Sequence, residues 1–438
     1  MNPTDFRMAA AHHGQKQVLA MPERQYRVLF VASHPVQYQA PLFRRIAAHS
    51  LLDIEVAYCT LRGAEAGHDP EFGTRIQWDV PLLDGYSWKH VPDRGSGAES
   101  FFGLFNPGLW KLIRDGNYDA VVSYVGYVRA SFWVALAAAK LSNAAFIFGT
   151  DAVSLTPRDR RAWKSKAKKF LWPRLFRLAD QVIVSSASGV DLMRSLGIPQ
   201  ERVTLTPFVV DNDWWMQQSK LVDRAAVRAA WGAAPDTIVI LFSGKLQQWK
   251  RPLDLLRAFA KANLANALLL FAGAGPLLPQ LESEAATLGV ASRVLFLGFL
   301  NQTQLPATYS AADLLVLPSE FEPFGLVVNE AMCCGCAVAA SDRCGAARDL
   351  VSPVDPRLVF PCGDVAALAK ILRDAAIDRS CLQSIRRLGL AHIQTWSPER
   401  NIAASTEAIR IAVSRIGRAP IEQPSDSVAP AGRQGIHR

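Results

Sequence analysis

A chain of 438 residues exceeds one ordinary hydrophobic core and fits two domains of roughly 150–200 residues. Half of its residues are apolar and a fifth are charged, which excludes a disordered or fibrous protein. The formal net charge of +9 is concentrated: residues 158–177 hold nine Lys/Arg against the single acid Asp159, so this segment contributes +8 and the rest about +1.

Residues 1–25 lack periodicity and contain no apolar core of a secretory signal, so a disordered start is expected. The ordered part opens with R-V-L-F-V-A (27–32), a buried-strand run, then a Ser33-His34-Pro35 loop and a helix over 42–48. Strand signals return at 54–59, 120–125, 145–148, 181–185 and 203–207, with helical patterns at 130–141 and 189–196. The longest apolar stretch, 130–139, stops at Lys140 and is too short to span a bilayer. After a junction near 211–215 the pattern restarts. A helix at 223–231 is followed by strands at 237–242, 267–271, 294–297, 314–317 and 338–341, with helices at 253–262 and 278–288 between them. Strands alternating with helices imply parallel sheets covered on both faces. The expected organisation is an N-terminal domain over 26–212, a second domain over 213–397, a helix over 398–417 that fits either domain, and a disordered tail over 418–438 rich in Pro, Ser, Gly and Gln. Seven thinly spread cysteines without even spacing fit a reducing, cytoplasmic compartment.

Chemistry concentrates in the run E-P-F-G-L-V-V-N-E, where Glu322 and Glu330 are separated by seven residues. An apolar strand (314–317) and a Pro318-Ser319 break precede it, so the run reads as loop then helix, with Glu330 about two turns in. Backbone N–H groups around Phe324, Gly325 and Leu326 lie at the helix's positive end. This frame suits an anionic group beside hydroxyls, the outline of a nucleotide sugar. A surface helix with two solvated acids is the alternative that the spacing by itself leaves open. The neighbouring strand ends carry Gly244-Lys245 leading to Lys250-Arg251, the turn Gly273-Ala274-Gly275-Pro276, and Gly298-Phe299. All fall at carboxyl ends of successive strands, where open α/β sheets bind ligands, and two such domains facing each other create a cleft.

At these residues the chain resembles the retaining GT-B glycosyltransferases of family four, the glycosyl transferases of group 1. The resemblance rests on G-K-L-Q-Q-W-K-R-P (244–252), F-A-G-A-G-P (271–276), V-L-F-L-G-F-L (294–300) and S-E-F-E-P-F-G-L-V-V-N-E-A-M-C-C-G-C-A-V-A-A-S-D (319–342), with V-T-L-T-P-F-V-V-D-N-D (203–213) entering the linker. It covers most of 26–400 and is strongest in the second domain. The first domain looks like a subgroup with S-H-P-V-Q-Y-Q-A-P-L-F (33–43) and W-D-V-P-L-L-D-G-Y (78–86). It lacks the family's usual glycine pair in the first loop, and Lys245 stands where arginine is more usual, supplying charge without a bidentate fork.

The resemblance implies a GT-B fold, two doubly wound Rossmann-like domains across a cleft, with the acceptor on the first and a nucleotide-sugar donor on the second. It implies that Lys245 and Lys250 neutralise the donor's diphosphate, Glu322 holds the transferred sugar, Glu330 accepts the ribose hydroxyls, and Phe324, Gly325 and Leu326 add backbone contacts. Gly244, Gly273 and Phe299 complete the donor site. The implied reaction retains configuration by a front-face route, needs no metal or cofactor, and moves a sugar to a glycan or lipid-linked acceptor in bacterial surface polysaccharide or glycolipid synthesis. A nucleotide-sugar epimerase or hydrolase on the same fold, and a non-catalytic sugar-nucleotide-binding protein, stay open.

His34 and Asp151, at strand ends of the first domain, are candidates for acceptor or donor contacts beside their plainer readings as cap and turn residues. Asp211-Asn212-Asp213 has a metal-binding spacing but coincides with the linker, and Cys333, Cys334, Cys336, Cys344 and Cys362 read as packed core, so no metal is expected. Trp163, Ala167, Phe170 and Leu171 share one helical face flanked by Arg160, Lys164 and Lys168, before Pro173 interrupts the helix. Basic charge beside aromatics reads as docking on an anionic membrane surface, which would put the protein on the inner face of the cytoplasmic membrane. No nucleic-acid motif accompanies it.

Overall fold

The computed structural model describes residues 25–69, 74–155 and 162–417. The two ends expected to be disordered lie outside these residues, apart from Gln25, as do Arg158, Arg160 and Arg161 of the basic segment.

The chain forms β1 (Tyr26–Ala32), β2 (Leu52–Tyr58), a short antiparallel hairpin of β3 (Gly67–Asp69) and β4 (Thr74–Ile76), then β5 (Ser87–His90), β6 (Ala120–Ser123), β7 (Ala145–Thr150), β8 (Gln181–Val184) and β9 (Val203–Leu205). Beyond the linker come β10 (Ile238–Ser243), β11 (Ala267–Ala272), β12 (Val294–Gly298), β13 (Leu314–Leu317), β14 (Ala337–Ser341) and β15 (Val359–Phe360). The first sheet has the order β5-β2-β1-β6-β7-β8-β9 and the second β12-β11-β10-β13-β14-β15. Every neighbouring pair in both is parallel. Strand order reverses between β1 and β6 in one sheet and between β10 and β13 in the other. A crevice opens at such a reversal, outside the strands' carboxyl ends.

The central strands are apolar because both faces are covered. All six residues of β10 are buried, as are all four of β13. One face of the first sheet carries Leu109, Ile113, Phe132, Trp172 and Phe176 from helices Gly108–Asp115, Ala130–Leu141 and Ala162–Leu178. The other carries Phe43 and Ile46 from helix Gln39–Ala47, and Ile402, Ala408, Ile409, Ala412 and Val413 from the final helix Pro398–Arg415. The last helix, compatible in sequence with either domain, thus crosses back to complete the first.

The structure corrects the helix end expected at Pro173. Ala162–Leu178 continues through Pro173 instead of breaking there. A proline in a helix interior costs about 3 kcal/mol. Trp172 and Phe176 on either side of it are buried, their rings 5.8 Å apart and Phe176 stacked on Phe148 at 5.5 Å, and this packing offsets the lost hydrogen bond. Among the described residues no helix is long and apolar enough to cross a membrane.

Candidate active site

The strand reversal of the second sheet brings Lys250 and Glu322 together. β10 ends at Ser243; Gly244 (φ +144°) and Lys245 lead through a 3-10 turn, Gln248–Lys250, into helix Pro252–Ala262. Across the crevice, the loop after β13 carries Glu322, whose carboxylate forms a salt bridge with the Lys250 ammonium. Both are largely buried, with side chains 20% and 12% exposed. Arg251, adjacent in sequence, turns away: its guanidinium binds Asp254 at 2.5 Å and Glu320 at 3.4 Å.

The E-P-F-G turn is wedged in place. Gly325 has φ +100°, and a Cβ there would lie 2.8 Å from Leu317 and 3.0 Å from the Cys344 sulfur, so only glycine fits. The Phe324 carbonyl accepts from the Ala346 N–H and the Cys344 thiol, both at 2.9 Å. The Phe324 ring is 2% exposed, stacked on Trp396 at 5.9 Å and edge-on to Phe208 at 5.7 Å. It therefore joins the core near the linker, which leaves only its backbone for a ligand contact.

Helix Val327–Cys333 starts late, after the Gly325 bend, so Glu330 lies in its first turn and not two turns in. The carboxyl is 7% exposed. It accepts a 2.8 Å hydrogen bond from the Tyr309 hydroxyl, which is itself 2.9 Å from the Ser243 hydroxyl at the end of β10. Burial lifts the Glu330 pKa to about 7 from the usual 4.5, while the Tyr309 bond pulls it back. Tyr309 and Ser243 escaped sequence reasoning. The available signal was a tyrosine in the short run T-Y-S-A, which without coordinates reads as an ordinary core tyrosine.

The glycine turns hold the remaining loops backbone to backbone. A Cβ on Gly273 (φ +151°) would meet the Gly244 carbonyl at 1.9 Å, and the Gly273 N–H donates to Gly298 O at 2.7 Å. The loops after β10, β11 and β12 therefore form one continuous rim ending at Phe299.

On the first sheet the reversal places the Ser33-His34 loop after β1 beside Tyr124 after β6. His34 Nδ1 is 2.9 Å from the Ser33 hydroxyl, and burial, with the nearby Arg62, lowers its pKa. Asp151 follows β7 and lines a cavity of about 170 Å³ with Tyr38, Tyr124, Ser185 and Phe208. Burial, then the Asp151 charge, pushes Tyr38 up to about 12. Phe208 links the two sites, with its ring 5.2 Å from Tyr38 and 5.7 Å from Phe324. His34 is not among this cavity's lining residues.

Several contacts join the domains near the carboxyl ends of the two sheets. The Ala187 N–H donates to Asp349 at 3.0 Å, Arg348 pairs with Asp191, and Asn329 donates to the Phe208 carbonyl at 3.1 Å. The D-N-D spacing is structural: Arg45 binds Asp211 at 2.6 Å and Asp213 at 2.7 Å, and Asp211 caps helix Asn212–Lys220. Cys333, Cys334, Cys336 and Cys344 are buried in the core as free thiols, whereas Cys362, expected with them, is only half-buried after β15, and among the described residues no His/Cys/Asp/Glu group is arranged for a metal. Trp163 and Phe170 are each 63% exposed on the basic helix, with the Arg174 guanidinium 4.1 Å from the Phe170 ring and Lys168 over buried Trp172. The Lys164 side chain lies outside the described part of the structure.

Comparison with known proteins follows the same division. The model of the glycosyl transferases group 1 matches residues 223–389, and that of the glycosyl transferase 4-like domain matches residues 10–208. The chain is 30% identical to the D-inositol 3-phosphate glycosyltransferases of Streptomyces scabiei, covering 76% of this chain and 79% of that one, and Streptomyces bingchenggensis, covering 84% and 83%. Among solved structures, Anabaena HepE with UDP and glucose superimposes with a TM-score of 0.66 at 20% identity, covering 88% of this chain and all of that one. WaaG, a glycosyltransferase of lipopolysaccharide biosynthesis, gives 0.61 at 17% identity, covering 87% and 99%. Both likenesses concern the two-domain GT-B fold.

Proposed function

The chain belongs to the glycosyl transferases of group 1, and from that premise we propose that it moves a sugar, with retained anomeric configuration, from a nucleotide-sugar donor to a glycan or lipid-linked acceptor in surface polysaccharide or glycolipid synthesis. The observation that carries this reading is the Lys250–Glu322 pair across the crevice of the second sheet. In the free protein each charge satisfies the other. An entering diphosphate takes Lys250, with Lys245 beside it, and releases Glu322 toward the hydroxyls of the sugar. Charge-assisted bonds are exchanged and no buried charge is stranded.

As the sugar–phosphate bond breaks, negative charge grows on the leaving oxygen and positive charge on the anomeric carbon. The two lysines stand where the first develops, and one such preorganised donor is worth about 2.7–4 kcal/mol of barrier. The departing phosphate takes the acceptor's proton on the same face of the sugar, so configuration is retained without a protein base. Glu330, oriented by Tyr309, binds the ribose hydroxyls. Backbone N–H groups at Gly325 and Leu326, and the rim through Gly244, Gly273 and Phe299, hold the rest of the donor.

Asp151 and the cavity beside it are the acceptor's side, and His34, outside that cavity, is assigned to the same domain's half of the cleft. No Lys or Arg is among the residues lining that cavity, while Asp151, two tyrosines and the buried Ser185 hydroxyl are. This chemistry favours a neutral, hydroxyl-bearing glycan over the inositol phosphate in the relatives' names. The exposed Trp163 and Phe170 on the basic helix Ala162–Leu178 support attachment to an anionic membrane at its cytoplasmic face, close to a lipid-linked acceptor.

A panel of UDP-, GDP- and ADP-sugars screened for a rise in thermal midpoint identifies the donor, since a ligand of the native state stabilises it. NMR of the first-formed product then reads the anomeric configuration, with retention expected and inversion contradicting the front-face route. Free sugar or an epimerised donor formed without acceptor would favour a hydrolase or epimerase on this fold. Stabilisation without turnover would favour a binding protein.

A further inference from the structure

The first domain reaches across the cleft at residues 77–79, none of which the donor site above uses, and meets there the Phe299 end of the donor rim. The loop after β12 runs from Gly298 to helix Leu305–Ala311, and three of its residues touch residues 77–79. The Phe299 ring lies 6.2 Å from Trp78, edge-on. Asn301 donates through Nδ2 to the Gln77 carbonyl at 2.6 Å and accepts at Oδ1 from the Asp79 N–H at 3.4 Å. The Thr303 N–H donates to the Asp79 carboxylate at 3.2 Å, and its hydroxyl donates to the same group.

The segment is anchored behind this contact. Arg44 donates to the Pro81 carbonyl at 3.1 Å; Tyr86 donates to Leu82 O at 2.5 Å, hydrogen-bonds the Tyr58 hydroxyl at 2.7 Å, and packs its ring on Phe43 at 5.6 Å. One end is thus fixed to the first sheet while the other grips the second domain. The gripping contacts are partly or fully exposed, where water competes for every bond, so the clasp can open and reclose.

The position of the clasp gives its role. With the sugar at Glu322 beyond β13 and the diphosphate at Lys250 beyond β10, the donor's other end extends along the rim past Gly273 toward Phe299. We propose that residues 77–79 form the first-domain wall of the donor's nucleoside end, with Trp78 determining base specificity and Asp79 positioning it through Asn301 and Thr303. The proposal rests on the donor site assigned above. Donor entry requires the clasp to open, and closure brings an indole from the acceptor domain to the base side of the cleft. Base recognition is thereby coupled to domain closure.

The test titrates UDP, GDP and ADP into the full-length wild type and the variants Trp78→Ala, Trp78→Phe, Asp79→Asn and Thr303→Val, with thermal midpoints as a check on folding. The wild type should rank the three nucleotides. Trp78→Ala should weaken the best-bound one about tenfold and narrow its margin over the others, a loss that corresponds to about 1.4 kcal/mol. Trp78→Phe should restore most of the preference, and Asp79→Asn and Thr303→Val, from opposite sides of the cleft, should give similar smaller losses. In turnover the effect should fall on KM more than on kcat. Affinities and ranking within twofold of wild type in both Trp78→Ala and Asp79→Asn would overturn the clasp alone. A wild type that binds none of the three would overturn the donor site as well.

Discussion

Replacing Lys250 by methionine keeps an apolar stem in place and deletes the charge that balances Glu322. The carboxylate, 12% exposed, is then left with the long 3.5 Å contact to the Ser319 hydroxyl. Exposed ion pairs contribute about 0–1 kcal/mol, whereas breaking a fully buried one costs about 3–5 kcal/mol. With Lys250 at 20% and Glu322 at 12% exposure, this pair sits toward the buried end, and a loss of about 2–3 kcal/mol is expected. For a domain of this size that is roughly 4–12 °C in thermal midpoint. Calorimetry on Lys250→Met, Glu322→Gln and the double variant closes a mutant cycle. The double variant should regain most of the stability lost by Lys250→Met, because the stranded charge is gone, while transfer stays strongly reduced in all three. Additive losses with no coupling, or a Lys250→Met enzyme that keeps both its midpoint and its rate, would refute the reasoning.

Glu330 makes stability depend on pH. Between about pH 4.5 and 7 the unfolded chain loses this proton while the folded chain keeps it, so the contribution, about 3 kcal/mol at most, is full below the lower value and is lost as pH rises through the upper. Glu330→Gln should flatten the stability curve across that window, and an unchanged slope would remove Glu330 as its cause. Chelator should leave transfer intact; complete loss restored by added metal would overturn the metal-free reading. Replacing Lys166, Lys168 and Lys169 by Ser, together with Trp163→Ser and Phe170→Ser, should weaken sedimentation with vesicles rich in anionic lipid, and unchanged binding would retire the membrane surface.

What was legible in the sequence was set by apolar runs and turn chemistry. β10, β11 and β13 are buried on both faces and announce themselves as unbroken hydrophobic stretches. Edge strand β5 (S-W-K-H) is mostly exposed, and β15 has two residues, so neither carries a periodic signal. The loops bearing Lys250, Gly273 and Glu322 were readable because their glycines mark carboxyl-end turns. What joins them was not. The Lys250–Glu322 pair spans 72 residues, the Ser243–Tyr309 bond 66, and the Asp79–Thr303 contact 224. Separations of that size are fixed by the strand order of the sheets and by how the domains meet, and local pattern holds neither. The break expected at Pro173 failed for the same reason: Phe176 stacks on Phe148 of β7 and Trp172 packs on Tyr127 beyond β6, both partners lying outside the helix's own sequence.

The most direct test of the account is the steady-state transfer rate of Glu322→Gln with the nucleotide sugar that best stabilises the wild type. The site described here requires a fall of about 10²–10³-fold in kcat/KM, the range seen when one preorganised polar group is removed from a reacting centre, in a protein that still folds. A folded variant that transfers sugar at close to the wild-type rate would contradict it.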